Sequence, residues 1–477
     1  MMSDASAPAE TEPLEHGAFA GPRLTDRQWR ICVDFGTAAS KACLALQGDW
    51  AGDAGRRVKP LPIGQAAGAP DALLTPSAIF IEDGKLFFGP HALKRAAQNN
   101  SDREPLLSFK MLLGAPDLSD LLETTVKRNV DPSGTLRNKH ILTFYMAYLG
   151  ALIENCLAHD KDFAAIKGEV RWRYSRPEWP SAIAGLHDRI TLELFEKALD
   201  ITARLRPELL SGDGIAIERA LQVFETAQNG PQRFEGGVLE AHAAAAAHAG
   251  AAKLASSFVL VFDIGAGTTD FAAFELTHSP DGFFQMREVD AARRSITLAG
   301  DEIDAILMNA FLSKARLKKD IPAQSELWRS LKKTVRDLKH QAFRDEHCEV
   351  SFRDKIVTIQ RAELTNQPRF REFVRVIQQN FTEALSATAA EAKAAKVKSV
   401  SVILAGGSSS LPFIQKLARH TARTWGKDAR VVVEPMAPLW ANAPEFNGAL
   451  APIFPQLEIA IGGASPLIRV AQTTKAA

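Results

Sequence analysis

Two nine-residue segments of the chain each combine an aspartate, a glycine-containing turn and hydroxyl side chains. The first is VDFGTAASK at residues 33–41, and the second is FDIGAGTTD at residues 262–270. A glycine lets the backbone approach a phosphate group closely, and such a turn can present its N–H groups to the phosphate oxygens. The aspartate can hold hydrated magnesium, because Mg²⁺ prefers oxygen ligands and keeps several waters. One such turn is also typical of a structural hairpin, but two copies favour a shared phosphate and metal site.

A third segment, AGGSSSLP at residues 405–412, carries paired glycines instead of an aspartate. Gly406 and Gly407 would let a flat adenine and ribose approach the backbone. Pro412 suits the first turn of a helix, so we expect a helix to begin there. The three segments together predict a nucleotide site, with the phosphates at the first two turns and the nucleoside at the third.

The elements that must position these turns can be recognised on either side of them. Each turn follows a short apolar run, which predicts a buried strand at residues 30–33, 258–262 and 400–404. Long helical patterns separate the strands, at residues 139–157, 303–317 and 370–395. This alternation predicts an α/β chain in which helices cover the sheets.

The alanine-rich segment at residues 240–249 predicts a further helix, because alanine has the highest helix propensity and permits close packing. His242 and His248 lie six residues apart, which places them on different faces of that helix. We therefore interpret both histidines as packing or surface residues rather than as metal ligands.

The composition excludes several classes of protein. The 477 residues carry 57 basic and 56 acidic side chains, and this balance gives no reason to expect a nucleic acid or an anionic membrane as a partner. The four cysteines form no Cys-x-x-Cys pair, so burial is expected rather than a zinc site or a disulfide framework. The first 26 residues lack the pattern of a signal peptide, and no run approaches roughly 18 uninterrupted apolar residues. A cytoplasmic protein is expected.

The order of two phosphate turns and one adenosine turn resembles the superfamily of actin, the sugar kinases and the heat-shock chaperones. Further segments are similar to the seventy-kilodalton heat-shock chaperone family in particular. They are TPSAIF at 75–80 with FGPHA at 88–92, FKMLLG at 109–114, EAHAAA at 240–245 and LAGDEID at 298–304. RPEW at 176–179 resembles the hinge segment of that family. The resemblance covers about residues 30 to 451.

The resemblance implies an α/β chain with the actin-like ATPase fold, in which two ribonuclease H-like lobes flank a nucleotide cleft. It implies a tail at residues 1–27, lobe I at 28–252 with a peripheral subdomain at 63–139, and lobe II at 253–450 with a peripheral subdomain at 299–364. Residues 451–477 are expected to form a C-terminal tail without a peptide-binding domain, because about 25 residues cannot bury enough surface for one.

The resemblance also implies roles for single residues around ATP or ADP and Mg²⁺. Asp34 and Asp263 are expected at the metal. The residues expected to serve hydrolysis are Lys110, Glu240, Asp263, Thr268 and Asp270. Those expected to bind the nucleotide are Gly36, Thr37, Ala38, Gly265, Ala266, Gly267, Thr268, Thr269, Gly300, Lys339, His340, Gly406, Gly407, Ser408, Ser410 and Leu411. Ser410 and His340 both stand where the family has an arginine, so weaker adenosine binding is expected.

Three functions stay open at the level of sequence. The first is a chaperone-like protein that binds ATP, hydrolyses it slowly, and regulates a protein partner or co-chaperone through closure of its lobes. The second is an ATP-binding scaffold or regulatory protein with little hydrolysis, which the altered adenosine residues favour. The third is a small-molecule kinase or a filament-forming relative of actin.

Overall fold

The structure is a computed structural model that describes residues 29–46, 58–99, 103–160, 170–228, 232–249, 256–278, 284–317, 320–425, 429–446, 448–465 and 468. Its strands are β1 (Trp29–Asp34), β2 (Ala39–Leu46), β3 (Val58–Pro60), β4 (Thr75–Pro76), β5 (Ala78–Glu82), β6 (Lys85–Phe88), β7 (Leu106–Leu107), β8 (Arg171–Arg176), β9 (Ile215–Ala216), β10 (Phe234–Leu239), β11 (Ser256–Ile264), β12 (Thr269–His278), β13 (Phe284–Glu288), β14 (Arg294–Ile296), β15 (His347–Phe352), β16 (Lys355–Gln360), β17 (Ser399–Ala405) and β18 (Arg430–Val433).

The α-helices are α1 (Ile63–Ala66), α2 (Gly89–Gln98), α3 (Leu118–Glu123), α4 (Asn138–His159), α5 (Ser181–Leu210), α6 (Ile217–Thr226), α7 (Glu240–Ala249), α8 (Gly300–Lys314), α9 (Ile321–Arg344), α10 (Arg361–Thr365), α11 (Pro368–Ala394), α12 (Pro412–Trp425) and α13 (Leu450–Ala464). Short 3-10 helices occur at Phe109–Gly114, Asp290–Ala292, Gly407–Ser410, Leu439–Asn442 and Pro444–Phe446.

Two six-stranded sheets repeat one topology. The first has the order β10-β8-β1-β2-β3, with β4 paired to β2. The second has the order β18-β17-β11-β12-β13, with β14 paired to β12. In both sheets the central strand pairs antiparallel with the strand after it and parallel with a strand that arrives much later in the chain. The chain therefore contains two copies of one lobe, which we call lobe I and lobe II.

Each lobe has its own hydrophobic core. The core of lobe I includes Phe35 of the β1–β2 connection, Tyr145 of α4 and Phe195 of α5. The core of lobe II includes Phe262 of β11, Phe271 of β12 and Phe381 of α11, whose rings pack together. The predicted strands at β1, β11 and β17 and the predicted helices at α4, α7, α8, α11 and α12 are confirmed.

Helix α4 is long and apolar enough to cross a membrane, but 78% of its most apolar 18 residues are buried inside the protein. The helix packs against α5 and is the core helix of lobe I, which accounts for its apolar composition.

A layer of two helices lies between the sheets. The alanines of α7 at residues 243–247 are fully buried and share one apolar cluster with α13 and with the inner faces of both sheets. A side chain at Gly462 of α13 would overlap the backbone carbonyl of Ala243, so the two helices cross in backbone contact. The alanine run is thus explained by helix packing, and His242 packs on Phe274 with a ring separation of 4.5 Å. All four cysteines are buried and free.

Smaller units sit at the outer ends of the lobes. Strands β5, β6, β7 and β9 form a four-stranded sheet beside lobe I. Helices α8 and α9 with the β15–β16 hairpin form a unit beside lobe II. The C-terminal tail expected at residues 451–477 is corrected at its start, because residues 450–464 form the buried helix α13, whose apolar side chains pack between the sheets. The other domain boundaries given by the resemblance stay a prediction, and those at residues 27–28 and 252–253 lie outside the described residues.

Candidate nucleotide site

The two aspartate turns lie at the same position in the two sheets. Asp34 ends β1 and is paired in register with Lys41 of β2. Asp263 lies one residue before the end of β11 and is paired in register with Asp270 of β12. Both Asp34 and Asp263 are buried, and the turn residues after them are partly exposed. The duplicated fold thus presents two partly exposed turns, and a buried carboxylate precedes each turn in the chain.

The backbone of both turns is held from outside. In the first turn, Ser77 Oγ donates to the Gly36 carbonyl at 2.6 Å, and the Ser77 N–H donates to the Ala38 carbonyl at 3.0 Å. In the second turn, the N–H groups of Gly300 and Asp301 donate to the carbonyls of Gly265 and Ala266, at 3.1 and 2.8 Å. Because their carbonyls are satisfied by the protein, the turns can aim N–H groups at a bound anion.

The residues around Asp34 favour its charged form. Ser175 Oγ donates to Asp34 Oδ1 at 2.7 Å, and Lys41 Nζ lies 2.8 Å from Asp34 Oδ2. Burial opposes the charge, but Lys41 and Lys110 outweigh burial and hold the pKa of Asp34 below its ordinary value.

The surroundings of Asp263, in contrast, favour its neutral form. Burial, followed by the charges of Glu240 and Asp270, raises the pKa of Asp263 well above its ordinary value. Asp34 adds to this effect, and Lys41 opposes it. A cation bound next to Asp263 would therefore reduce the repulsion between Asp263 and the neighbouring carboxylates.

Lys110 and Glu240 form an ion pair near the two aspartates. Lys110 lies in the 3-10 helix Phe109–Gly114, Glu240 begins α7, and their side chains form an ion pair. Burial acts against the lysine charge, yet Glu240 and Asp34 raise the pKa of Lys110 above its ordinary value. The lysine is therefore charged and held beside both aspartates.

Asp270 is held by two hydroxyl groups. Ser295 of β14 pairs with Asp270 in register, and its Oγ donates to Asp270 Oδ1 at 2.5 Å. Burial raises the pKa of Asp270, and the hydrogen bonds from Ser295 and Thr268 oppose that rise. Thr268 and Asp270, which the resemblance implies for hydrolysis, thus lie side by side, with Ser295 as an additional support.

These residues fit a magnesium ion better than a metal enclosed by protein. Within the described ranges, no group of three or more His, Cys, Asp or Glu side chains is arranged around a metal position. The cluster has four carboxylates, Asp34, Glu240, Asp263 and Asp270, against two lysines, Lys41 and Lys110. This excess of carboxylates suits Mg²⁺, which prefers oxygen ligands. Few direct protein ligands are needed, because Mg²⁺ keeps several waters and also binds phosphate oxygens of the nucleotide.

The third glycine turn packs against the second. Gly406 has a φ of 82°, and a side chain there would overlap the Asp263 carboxylate, so glycine is required. Ser408 Oγ donates to the Gly265 carbonyl at 3.0 Å. Gly407 is exposed with open space above it, and Ser410 Oγ donates to the Gly407 carbonyl at 3.0 Å. The predicted nucleoside turn therefore lies next to the predicted phosphate turn.

The other residues predicted to bind the nucleotide differ in how far their side chains are exposed. Lys339 is buried, lies 2.9 Å from Asp304 and donates to the Gly300 carbonyl at 3.2 Å, so it supports the glycine turn. His340 is exposed on the adjacent position of α9. The Leu411 side chain is buried in the core of lobe II, which leaves only its backbone for a ligand. Contacts of these residues with adenosine stay a prediction.

Some residues of the site were missed at the level of sequence. Lys41 could have been found by aligning the two nine-residue segments, because it takes the position that Asp270 has in the second copy. Ser175 and Ser295 depend on strand pairing, which the sequence does not reveal. Glu458 of α13 is fully buried, with its Oε2 3.1 Å from His248 Nε2. Burial and then Asp263 raise the pKa of Glu458 well above its ordinary value.

A cavity of about 310 Å³ opens between the lobes behind the carboxylates. Its wall includes Trp179, Glu240, Asp270 and Phe274. Beside it, Glu178 of lobe I and Arg293 of lobe II form an ion pair of 3.0 Å. The segment predicted as a hinge, at residues 176–179, therefore contacts the opposite lobe.

Two copies of one sheet, each ending in an aspartate and a glycine turn that face a shared cleft, define the actin-like ATPase fold. The model of the Hsp70 protein family matches residues 238–436. These residues run from the end of β10 through most of lobe II, and they include Glu240 and the second and third glycine turns.

Curated relatives agree with that match. A heat shock 70 kDa protein of Penicillium citrinum is 26% identical over 179 residues, which are 37% of this chain and 34% of the relative. Heat shock cognate 70 kDa protein 3 of Dictyostelium discoideum is 26% identical over 179 residues, which are 37% of this chain and 27% of the relative. The chain thus spans about a third or less of the length of these relatives. The matches show that this part of the chain is similar to the Hsp70 family.

Proposed function

We propose that this chain binds ATP with Mg²⁺ between its lobes and hydrolyses the nucleotide slowly, as a chaperone-like protein. The observation that carries the proposal is the convergence of both aspartate turns on the Lys110–Glu240 ion pair. Phosphoryl transfer needs charge neutralisation and a positioned water more than covalent chemistry, and this cluster provides both kinds of group.

Each side chain would have a distinct task in that reaction. Asp34 and Asp263 would hold hydrated Mg²⁺, which supplies charge neutralisation at the phosphates. Lys110 carries a fixed positive charge toward the terminal phosphate, and Glu240 orients the lysine. Asp270, held by Thr268 and Ser295, accepts a hydrogen bond from the attacking water and orients it.

Lobe closure would carry the output to a protein partner or co-chaperone. The lobes meet on both sides of the site, through Glu178 with Arg293 behind it and through Lys332 with Glu104, 2.8 Å apart, at the opposite side. A nucleotide that touches both lobes favours the closed arrangement by its differential affinity for that arrangement. A coupling of about 1–3 kcal/mol is enough to change the affinity for a partner.

The test of nucleotide binding is the variant Asp263→Asn, with calorimetric titration of ATP in the presence and absence of Mg²⁺. The native environment already opposes the charge of Asp263, so the neutral amide should fold at least as well as the wild type. We expect Mg²⁺-dependent ATP binding to weaken by about 10-fold or more, because a carboxylate at the metal is lost. Asp345→Asn, at an exposed helix end, is the matched control.

Equal ATP affinity and equal Mg²⁺ dependence in Asp263→Asn, Asp345→Asn and the wild type would rule out the shared site. A second candidate function is a nucleotide-binding scaffold with little hydrolysis. It is favoured by Lys41, which neutralises Asp34 in the structure, and by the exposed Ser410 and His340 in place of arginines. ATP binding without measurable phosphate release would select the scaffold.

A further inference from the structure

The two copies of the aspartate turn differ at one position in the site. Asp34 and Asp263 are equivalent, and each is paired in register with the residue seven positions later in the chain. That residue is Asp270 in lobe II and Lys41 in lobe I. The duplication therefore places a cation in one half of the site where the other half has a carboxylate.

Lys41 lies where both the metal and the phosphates are expected. Its Nζ is 2.8 Å from Asp34 Oδ2, and it is 3.4 Å from the position that a β-carbon would take on Gly36. Its charge also acts on Asp263 and on the buried Glu458. The ammonium group thus lies beside the first phosphate turn, and its charge acts on carboxylates from β1, β11 and α13.

A purely structural ion pair is the alternative explanation, because a buried carboxylate needs a partner. Ser175 already donates to the other oxygen of Asp34, and the Lys41 side chain is 16% exposed. An ammonium group can make three hydrogen bonds, so Lys41 has donors left for an oxygen that enters the turn. Lys41 can therefore compensate the charge of Asp34 and also donate a hydrogen bond to a ligand at the turn.

We propose that Lys41 is a resident cation of the nucleotide site, which competes with Mg²⁺ for Asp34 and donates to a phosphate oxygen when the nucleotide binds without metal. This inference rests on the proposed function and assigns a further binding residue to the same site. A fixed positive charge repels a divalent cation and attracts phosphate. Removal of the charge must therefore change the two affinities in opposite directions.

The experiment uses Lys41→Met, with Lys41→Gln as a second variant that keeps a hydrogen-bond donor for Asp34. Lys41→Arg keeps the charge, and Lys355→Met removes an equal charge from the exposed β15–β16 hairpin. Calorimetry measures Mg²⁺ binding to the nucleotide-free protein and ADP binding in EDTA. Circular dichroism and thermal unfolding report whether each variant is folded.

For Lys41→Met and Lys41→Gln we expect Mg²⁺ to bind about 10-fold more tightly and ADP in EDTA to bind about 10-fold more weakly. Lys355→Met should match the wild type, and Lys41→Arg, which keeps the charge, should lie closer to the wild type than Lys41→Met in both affinities. Loss of both affinities together, or no change in either, would overturn the inference and leave Lys41 as a structural partner of Asp34.

The same titrations separate this inference from the proposed function. If the wild type binds no ADP with or without Mg²⁺, the proposed function fails and the role of Lys41 fails with it. If the wild type binds Mg²⁺ and ADP but the Lys41 variants show no opposite changes, only the role of Lys41 is refuted.

Discussion

At the scale of single residues, Lys110 and Glu240 form the pair on which hydrolysis would depend. Both side chains are largely buried, and each is the other's ion-pair partner. Removal of one partner leaves the other as a buried unpaired charge, which typically costs about 3–5 kcal/mol of stability. A single substitution would therefore change stability and catalysis together, and the two effects must be separated.

We predict that Lys110→Met and Glu240→Gln each lower ATP turnover by about 10-fold or more while ATP affinity changes much less, as expected when an interaction of the transition state is lost. The double variant Lys110→Met/Glu240→Gln should recover stability, because no buried charge is left alone, but it should not recover turnover. Single-turnover phosphate release, calorimetry and chemical denaturation measure the three quantities. Wild-type turnover in the single variants would remove both residues from the catalytic group.

The two aspartate turns and the family resemblance predicted several residues that the structure brings together. The paired aspartates, Lys110, Glu240 and Asp270 are gathered in one cleft, as the two turns and the family resemblance implied. The hydroxyl groups that support the carboxylates could not be predicted in this way. Ser175 is 141 residues from Asp34 in the chain, and only the parallel pairing of β1 with β8 brings them together.

At the scale of elements, the strands and helices beside the glycine turns were predicted well, because local patterns specify them. Helix α8 shows where local patterns are insufficient. The pattern predicted residues 303–317, but the helix runs from Gly300 to Lys314. Its first turn donates to the carbonyls of the second phosphate turn, and Arg316 takes a left-handed φ of 55° after its last turn. The hydrogen bonds to the second phosphate turn thus determine where helix α8 begins.

The crossing of α7 and α13 supplies a prediction at the same scale. Gly462→Ala should lower the free energy of unfolding by about 2 kcal/mol or more, because the new methyl group meets the Ala243 backbone and cannot be accommodated by a side-chain rotation. Gly185→Ala is the control, since this exposed glycine of α5 has open space around its β-carbon position. That change should stabilise the protein by about 0.5–1 kcal/mol.

Urea denaturation of both glycine variants provides the comparison, with the slope of each transition checked against the wild type. An unchanged stability of Gly462→Ala would show that the helices can move apart at low cost. The backbone contact at the crossing would then not constrain how the lobes are joined.

At the scale of the whole molecule, two kinds of contact hold the lobes together on the outer side of the cleft. Lys332 of α9 lies 2.8 Å from Glu104 of lobe I, and Lys333 Nζ donates to the Ala96 carbonyl at 3.0 Å. These groups are partly exposed, and an exposed ion pair typically contributes about 0.2–1 kcal/mol. Such a contribution is small for folding but sufficient to change the rate at which a cleft opens.

We predict that Lys332→Met speeds the release of bound ADP by up to about 5-fold, because one contact that closes the cleft is lost. Lys314→Met is the matched control, since Lys314 makes an ion pair of 2.7 Å with Glu363 inside lobe II at similar exposure. Stopped-flow displacement of a fluorescent ADP analogue measures the rates, and high salt should reduce the difference between wild type and Lys332→Met. Identical release from both variants and the wild type would assign the opening of the cleft to other contacts.

The apolar helix α4 sets a requirement on the synthesis of the chain. Its covering helix α5 ends at Leu210, about 50 residues after α4 ends at His159, and translation at roughly 5–20 residues per second makes that interval last several seconds. Until α5 has left the ribosome, the nascent polypeptide carries a helix as apolar as a membrane span without the partner that buries it. The chain is therefore most exposed to aggregation while its first lobe is being made.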